Sequence, residues 1–390
     1  MLSLPKQLAW LNAYFFNDAS ELLRQAQHDN DSCPMFNDLF NRKPEDKPFL
    51  ISGPCSAETE SQVLETCQRL AATGKVQALR AGIWKPRTKP GGFEGVGAKG
   101  LPWLKKASEL TGLPVAVEVA TAKHVEDCLA FGVDLVWVGA RTTGNPFSVQ
   151  EIANALRGVE IPVLVKNPIH PELELWAGAI ERLQKAGLKQ VGMIHRGFSS
   201  YGNTDYRNAP MWHLPIEMKR RLPELPILND PSHICGRRDT LFGVAQQALD
   251  LDFDGTMIES HIDPDNAWSD AKQQITPEVL GQLIHDLVWR HETTDKQEFL
   301  NALAGLREQI NNIDAEVLQL LGRRMAVAEK IGQYKKENDI TILQTGRLNE
   351  ILERSKRQGA QLGLTAEFVE RYLEAVHLES VLRQERVMQG

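Results

Sequence analysis

Arg80, Lys85 and Arg87 fall within the nine residues Arg80-Ala-Gly-Ile-Trp-Lys-Pro-Arg-Thr88, directly after the apolar run Val76 to Leu79. Pro86 and the following Lys89-Pro90-Gly91-Gly92 exclude a helix there, so the cations belong to a strand end and the loop after it. Fixed cations on such a loop hold phosphate or carboxylate groups; a merely solvated basic loop is the plain alternative. The arrangement recurs down the chain. Arg141, Lys166 and Arg196 follow later apolar runs, as does Glu118. Six cations around one mouth repel one another strongly unless the ligand is highly anionic, and two phosphorylated metabolites would suffice. Cys55, His233, Glu259 and Asp270 form a second set. A thiolate, an imidazole and two carboxylates suit Mn, Fe, Co or Zn rather than Mg or Ca. Taken singly, Lys166 or Arg141 is more often a salt-bridged residue, and Cys55 a buried small hydrophobe. Cys67, Cys128 and Cys235 read as structural.

These residues can act together only if one scaffold gathers them. From Phe49 the chain alternates apolar runs with helical patterns. The runs are Phe49–Ser52, Val76–Arg80, Pro114–Val119, Leu135–Val138, Pro162–Val165, Gln190–Ile194, Pro226–Leu228 and Gly255–Ile258. Helical patterns between them include Glu58–Ala72, Leu101–Leu110, His124–Phe131, Phe147–Leu156, Glu172–Ala186 and Thr240–Leu249. A last one, Thr276–Arg290, opens on the cap-like Thr276-Pro277-Glu278. Eight strands alternating with helices over about 240 residues predict an α/β fold, a (β/α)8 barrel, with a doubly wound sheet as the alternative. A barrel demands chemistry at the carboxyl ends of its strands, which is where Cys55, Arg80 with Lys85 and Arg87, Glu118, Arg141, Lys166, Arg196, Asp230 with His233, and Glu259 fall.

Length and composition set the bounds. The 390 residues allow two or three domains, and no apolar run is long enough to span a bilayer. Five cysteines, Cys33, Cys55, Cys67, Cys128 and Cys235, are scattered and odd in number, which argues for a reducing, cytoplasmic setting. The net charge of −7 argues against nucleic acid as a partner. Residues 296–390 hold 14 basic and 14 acidic side chains, leaving 30 against 37 for the rest, which therefore carries the whole −7. Residues 1–47 form an N-terminal extension of unclear role. Its apolar run Leu8–Phe16 reads as a short helix and tail over the main domain rather than a signal peptide, since no small-residue cleavage site follows.

Gly53-Pro54-Cys55-Ser56-Ala57-Glu58, Lys85-Pro86-Arg87-Thr88, Gly139-Ala140-Arg141, Val165-Lys166-Asn167, His195-Arg196-Gly197, Asp230-Pro231-Ser232-His233 and Ile258-Glu259-Ser260-His261 resemble the motifs of 3-deoxy-D-arabino-heptulosonate 7-phosphate (DAHP) synthases. The resemblance runs from about Phe49 to Arg290 and is to the short barrel type. The nearest relatives by fold are 3-deoxy-octulosonate 8-phosphate synthases, from which Lys-Pro-Arg-Thr sets this chain apart. The resemblance implies condensation of phosphoenolpyruvate with erythrose 4-phosphate at the head of aromatic biosynthesis. It implies that Arg80, Lys85, Lys166, Arg141 and Arg196 hold phosphoenolpyruvate, with Glu118 beside them. Arg87 and Thr88 would hold the sugar phosphate, and Cys55, His233, Glu259 and Asp270 a divalent metal. Lys85 is one group that could pass a proton.

After Arg290 the pattern changes. A polar linker, residues 292–298, leads into residues 299–390. Phe299, Leu303, Leu306, Ile310, Ile313, Val317, Leu320, Arg324, Val327, Ile331 and Tyr334 alternate steps of four and three, which predicts one long amphipathic helix. Further helices are expected at Thr345–Arg357 and Ala366–Val387, making a three-helix all-α domain. A cation in an apolar stripe, Arg324, needs an anionic partner, and Lys335 lies three turns on along nearly the same face. On pattern alone a helical dimerisation module explains the segment.

Leu306-Arg307, Ile313-Asp314, Arg323-Arg324-Met325, Ile331-Gly332-Gln333-Tyr334-Lys335, Arg347 and Glu379-Ser380-Val381-Leu382-Arg383-Gln384 resemble the small all-α chorismate mutases in residue and spacing. The resemblance implies Arg307, Arg324, Lys335, Arg347, Ser380 and Gln384 as ligand residues for chorismate and prephenate. One departure is Leu348, where the family often has Glu; a contact to the substrate hydroxyl would be missing. Arg307 and Arg324 are seventeen residues apart, roughly 25 Å along a helix and about 100° around it. One chorismate cannot touch both, which predicts a two-fold homodimer with sites built from two chains. The alternative is an active synthase whose helices only sense chorismate or prephenate and dimerise. By the same resemblance, chorismate or prephenate is expected to change synthase activity.

Overall fold

The structure is a computed structural model that describes residues 48–85, 91–202, 205–290 and 294–389. The expected N-terminal helix, Arg87 and Thr88 lie outside the described residues. The chain divides near residue 292 into two compact units. Among the described residues, no helix is long and apolar enough to cross a membrane.

The first unit is a closed parallel barrel of eight strands in chain order, and not a doubly wound sheet. The strands are β1 Phe49–Gly53, β2 Ala78–Arg80, β3 Val115–Val119, β4 Leu135–Val138, β5 Val163–Lys166, β6 Val191–His195, β7 Ile227–Asn229 and β8 Gly255–Glu259. Closure is made by β1 on β8, in register from Phe49↔Gly255 to Gly53↔Glu259. The runs read as uniformly apolar because both faces are buried. One face fills the barrel with Phe49, Ile51, Ala116, Trp137, Leu164, Ile194, Leu228 and Met257. The other packs Leu50, Leu79, Val117, Val136, Val163 and Met193 under the helices.

Those helices are α1 Glu60–Ala72, α2 Leu101–Thr111, α3 Ala122–Ala130, α4 Ala140–Thr143, α5 Pro146–Ala155, α6 Leu173–Lys185, α7 His213–Arg221, α8 Pro231–Cys235, α9 Leu241–Asp250 and α10 Pro277–Asp286. Thr276 caps α10 as expected, its hydroxyl accepting the Val279 N–H at 3.4 Å. Three helices were not expected. α4 and α8 are single turns at strand ends, too short to show a period. α7 carries Pro215 near its start and three cations, Lys219, Arg220 and Arg221, in its last turn, which hide its buried contacts Pro215 and Met218.

The second unit holds three helices: α11 Gln297–Glu337, α12 Thr345–Gln361 and α13 Ala366–Gln389. At 41 residues, α11 is about 60 Å long. Met325, Ala328 and Gly332 of α11 are buried, as are Val376, Ser380 and Gln384 of α13. Gly332 permits close packing, since a Cβ there would sit 3.1 Å from the Gln384 backbone. None of these buried α11 residues belongs to the expected apolar stripe, most of which is bare: Leu306 and Ile313 are each 58% exposed.

Candidate active site

The barrel mouth is built from the last residues of the strands, where alternation turns a side chain inward. Trp137 of β4 is fully buried and forms a platform, with the Arg80 guanidinium 4.9 Å and the Lys166 ammonium 5.6 Å from its ring centroid. Such stacking stabilises cations in a dry setting. The indole N–H donates to Glu118 Oε2 at 2.9 Å. Gly139 makes room for that carboxylate, because a Cβ would fall 2.3 Å from Glu118 Oε1.

The cations are less exposed to one another than their number suggests, because carboxylates are interleaved. Arg80 Nη2 lies 3.3 Å from Glu259 Oε1, and Lys166 Nζ lies 2.7 Å from Asp230 Oδ2, all four side chains buried. Arg196 is buried too; its backbone N–H donates to Asn167 Oδ1 at 2.7 Å. Burial, partly offset by Asp230, pulls its guanidinium down to about 10. Arg141 sits on α4 rather than at a bare strand end.

Cys55, Glu259 and Asp270 place one ligand atom each within 4.8 Å of one another. Cys55 Sγ is 3.4 Å from Asp270 Oδ2 and 3.1 Å from Lys85 Nζ. His233 lies beside this group, outside its 4.8 Å cluster. Its Nδ1 is held by Asp230 Oδ2 at 2.8 Å, which turns Nε2 to within 3.8 Å of Glu259 Oε1. That Glu259 oxygen is buried and makes no hydrogen bond, although two cationic or cation-forming groups flank it. An unsatisfied buried carboxylate oxygen beside a sulfur, an imidazole nitrogen and a second carboxylate fits a borderline divalent ion. Asp230 belongs to this set as a support: it also accepts the His233 backbone N–H at 3.1 Å and fixes the imidazole tautomer.

The electrostatics follow from burial and these neighbours. Burial first, and then Glu259, pushes the Cys55 thiol up to about 12. Burial works against ionisation of Glu259, but His233, Arg80 and Lys85 outweigh it and hold the carboxyl below its usual value. Asp270 is likewise held low, with Arg207, His233 and Lys85 overcoming burial. Lys85 is raised although burial opposes it, through Cys55 and Glu259.

Sequence reasoning missed three members of this site, Trp137, Arg207 and Gln273, and gave Asn167 no role beyond its motif. Trp137 looked like ordinary core, and Arg207 lies in a stretch without periodicity. Arg207 Nη1 donates to Asp270 Oδ1 at 3.0 Å.

In the helical unit, Arg324 donates to Ser380 Oγ and to Val376 O at 3.5 Å, so its partners within the chain are neutral oxygens. Gln384 lies one turn beyond Ser380, its Nε2 donating to Ser380 O at 3.2 Å while its buried Oε1 has no partner. Lys335 Nζ donates to Ile342 O at 2.5 Å, and Arg347 pairs with Glu350 at 2.7 Å. Arg307 lies on the exposed half of α11 and is not brought to these groups within the chain. A groove of about 640 Å³ between α11 and α13 is lined by Leu321, Met325, Tyr372, Val376, Glu379 and Arg383, and none of the expected ligand residues lines it.

A strand-end cluster of metal-fitting side chains under a cationic rim defines a barrel enzyme for anionic substrates, joined here to a helical unit with its own cations. Comparison with known proteins gives the family. The DAHP synthetase I family model matches residues 41–298, and the chorismate mutase type II model matches residues 306–385. A phospho-2-dehydro-3-deoxyheptonate aldolase of Thermotoga maritima is 31% identical over 238 residues, 61% of this chain and 68% of that protein. A crystal structure of the DAHP synthase from Thermotoga maritima superposes with a TM-score of 0.55 at 30% identity, covering 61% of this chain and 67% of that one. A 2-dehydro-3-deoxyphosphooctonate aldolase of Vesicomyosocius okutanii is 25% identical over 273 residues, 65% of this chain and 94% of that protein. The chain belongs to the DAHP synthetase I family and carries a type II chorismate mutase domain after the barrel in sequence.

Proposed function

We propose that the barrel condenses phosphoenolpyruvate with erythrose 4-phosphate to DAHP and phosphate, and that the helical unit rearranges chorismate to prephenate. The observation that carries the first reaction is the convergence of Cys55, His233, Glu259 and Asp270 beside buried cations. Those four side chains would hold a divalent ion, which would supply Lewis acidity toward the aldehyde. Arg80, Lys85, Arg141, Lys166 and Arg196, with Glu118, hold phosphoenolpyruvate, while Arg87 and Thr88 take the sugar phosphate. Carbon 3 of phosphoenolpyruvate bonds to the aldehyde carbon, water adds at carbon 2, and phosphate leaves by C–O cleavage. Arg80 and Lys166 are locked over Trp137 before substrate arrives, so they need no reorganisation as charge moves. Lys85 is placed to pass a proton.

The second reaction is pericyclic and needs neither nucleophile nor base. Arg307, Arg324 and Arg347 hold the two carboxylates in the compact reactive conformer, with Ser380 beside them. Lys335 and Gln384 donate to the ether oxygen as its C–O bond breaks. The exposed stripe of α11 supports a homodimer, in which an antiparallel second copy brings its Arg307 to Arg324 and Lys335. Apart from Leu348, nothing described in the helical unit favours a purely regulatory role over turnover.

One purified sample tests both reactions. Product from phosphoenolpyruvate and erythrose 4-phosphate should depend on added Mn, Fe, Co or Zn after chelator treatment. Chorismate consumption should not depend on metal. Metal-independent condensation would overturn the assigned metal centre, and a helical unit inert toward chorismate would leave only the regulatory reading.

A further inference from the structure

Arg207 lies in the irregular stretch between β6 and α7, yet it touches the loop after β8. Its Nη1 donates to Asp270 Oδ1 at 3.0 Å and to Gln273 Oε1 at 2.7 Å. Gln273 is buried, and its Nε2 donates to Glu259 Oε2 at 2.6 Å. A continuous chain of bonds therefore runs from Asp270 through Arg207 and Gln273 to Glu259. Both neighbours fix the orientation of the Gln273 amide, since its oxygen must face the arginine and its nitrogen the carboxylate. Each carboxylate is tied by one oxygen and presents the other to the cluster. Asp270 Oδ2 faces Cys55 Sγ at 3.4 Å, and Glu259 Oε1 has no hydrogen bond.

Three details show that Arg207 is built in. Asp270 has a left-handed backbone, φ +47, which side-chain tethers help to hold. Gly236, φ +66, leaves space for the arginine stem, since a Cβ there would fall 2.6 Å from Arg207 Cβ. The adjacent Asn208 donates through Nδ2 to His233 O at 2.6 Å and through its backbone N–H to Ile234 O at 3.1 Å. The segment Arg207–Asn208 thus links α8, which carries His233, to the loop that carries Asp270.

We propose that Arg207 is a positioning residue of the metal centre, setting the spacing of Asp270 and Glu259 through Gln273 before an ion arrives. The proposal rests on the reading of Cys55, His233, Glu259 and Asp270 as metal ligands. The competing role, a cation that binds substrate, draws on the 48% exposure of its side chain.

The two roles separate in a titration of the full chain, stripped of metal, with Mn2+ against a competing chromophoric chelator. Arg207→Met keeps the stem against Gly236 and removes the donors. It should raise the Kd for Mn2+ by about 10–100-fold, the usual effect of losing a support of a ligand. Arg207→Lys should recover part of that loss. The visible spectrum of the Co2+-loaded variant should change, reporting altered ligand geometry, while KM for phosphoenolpyruvate at saturating Mn2+ stays within about twofold of wild type. Circular dichroism checks the fold; should Arg207→Met not fold, Arg207→Gln is read by the same threshold. An unchanged Kd for Mn2+, with or without a raised KM, would overturn the proposal. Failure of the wild-type chain itself to bind Mn2+ would instead overturn the metal centre on which the proposal stands.

Discussion

Arg80 and Arg324 are the same side chain in opposite settings. Arg80 is 1% exposed, stacked on Trp137 and 3.3 Å from a buried carboxylate. Arg324 is exposed, and its partners are a hydroxyl and a backbone carbonyl. The barrel gathers residues distant in sequence into one dry mouth and satisfies most of their charges with its own carboxylates. The helical unit has too little core to do so, and it leaves both its cations and its apolar stripe open. A closed barrel can organise a site within one chain, whereas the proposed mutase site of the three helices would draw Arg307 from a second copy.

The sharpest break between the regions comes from the metal centre. Cys55→Ala or His233→Ala should remove a Lewis acid worth several kcal/mol, a loss of about 10³-fold or more in DAHP formation. Chorismate turnover should stay within about twofold of wild type, because the two sites share no residue. Parallel loss of both activities in a folded variant would show that they are not independent.

The mutase side is tested by mixing. Arg307→Ala and Arg324→Ala should each lower chorismate turnover by about 10²–10³-fold, as loss of a preorganised donor does. Mixed and allowed to exchange subunits, they should regain activity, since one hybrid site holds both intact arginines. DAHP formation should be unaffected by either substitution. Proven exchange without recovered turnover would remove the two-chain site.

Buried and exposed pairs should differ in stability as well. Asp230→Asn leaves Lys166 buried without its counter-charge, and such losses cost about 3–5 kcal/mol. At about 2–4 °C per kcal/mol for a domain of this size, the barrel transition should fall by roughly 10 °C. Glu350→Gln breaks the exposed pair with Arg347 and should leave the melting of the helical unit unchanged. Equal shifts would mean that the buried pair is worth no more than the surface one.

Where chemistry lay on strands, the sequence was readable. Period and length located every strand to within about two residues, and the ends of those strands pointed to Cys55, Arg80, Lys166 and Glu259. The supports were not readable, because they depend on contacts between loops. Nothing local marks Gln273 as the link between Glu259 and Arg207, or Asp230 as the counter-charge of Lys166 across 64 positions. Nor could periodicity tell that Arg324 would meet Ser380 Oγ, since that contact depends on how α13 lies along α11.

Helix capping gives the smallest effect and still separates the regions. The barrel helices α1, α3, α5 and α10 begin at Thr59, Thr121, Asn145 and Thr276, whose side chains accept a first-turn N–H. α11 and α12 begin at Lys296 and Gln344 with no side-chain cap. Thr276→Ala should therefore cost the barrel about 1 kcal/mol, and Gln344→Asp, at an extended position suited to a cap, should stabilise the helical unit by a similar amount. Equal energies do not give equal shifts. The unfolding entropy grows with size, so 1 kcal/mol moves a domain of about 100 residues by about 4–8 °C and one of about 200 by about 2–4 °C. Calorimetry at fixed protein concentration should show the upward shift from Gln344→Asp to be about twice the downward shift from Thr276→Ala, each confined to its own transition. A single transition that both substitutions move alike would mean that the two units unfold as one, and that the contrast between a dry barrel and an open helical unit does not extend to stability.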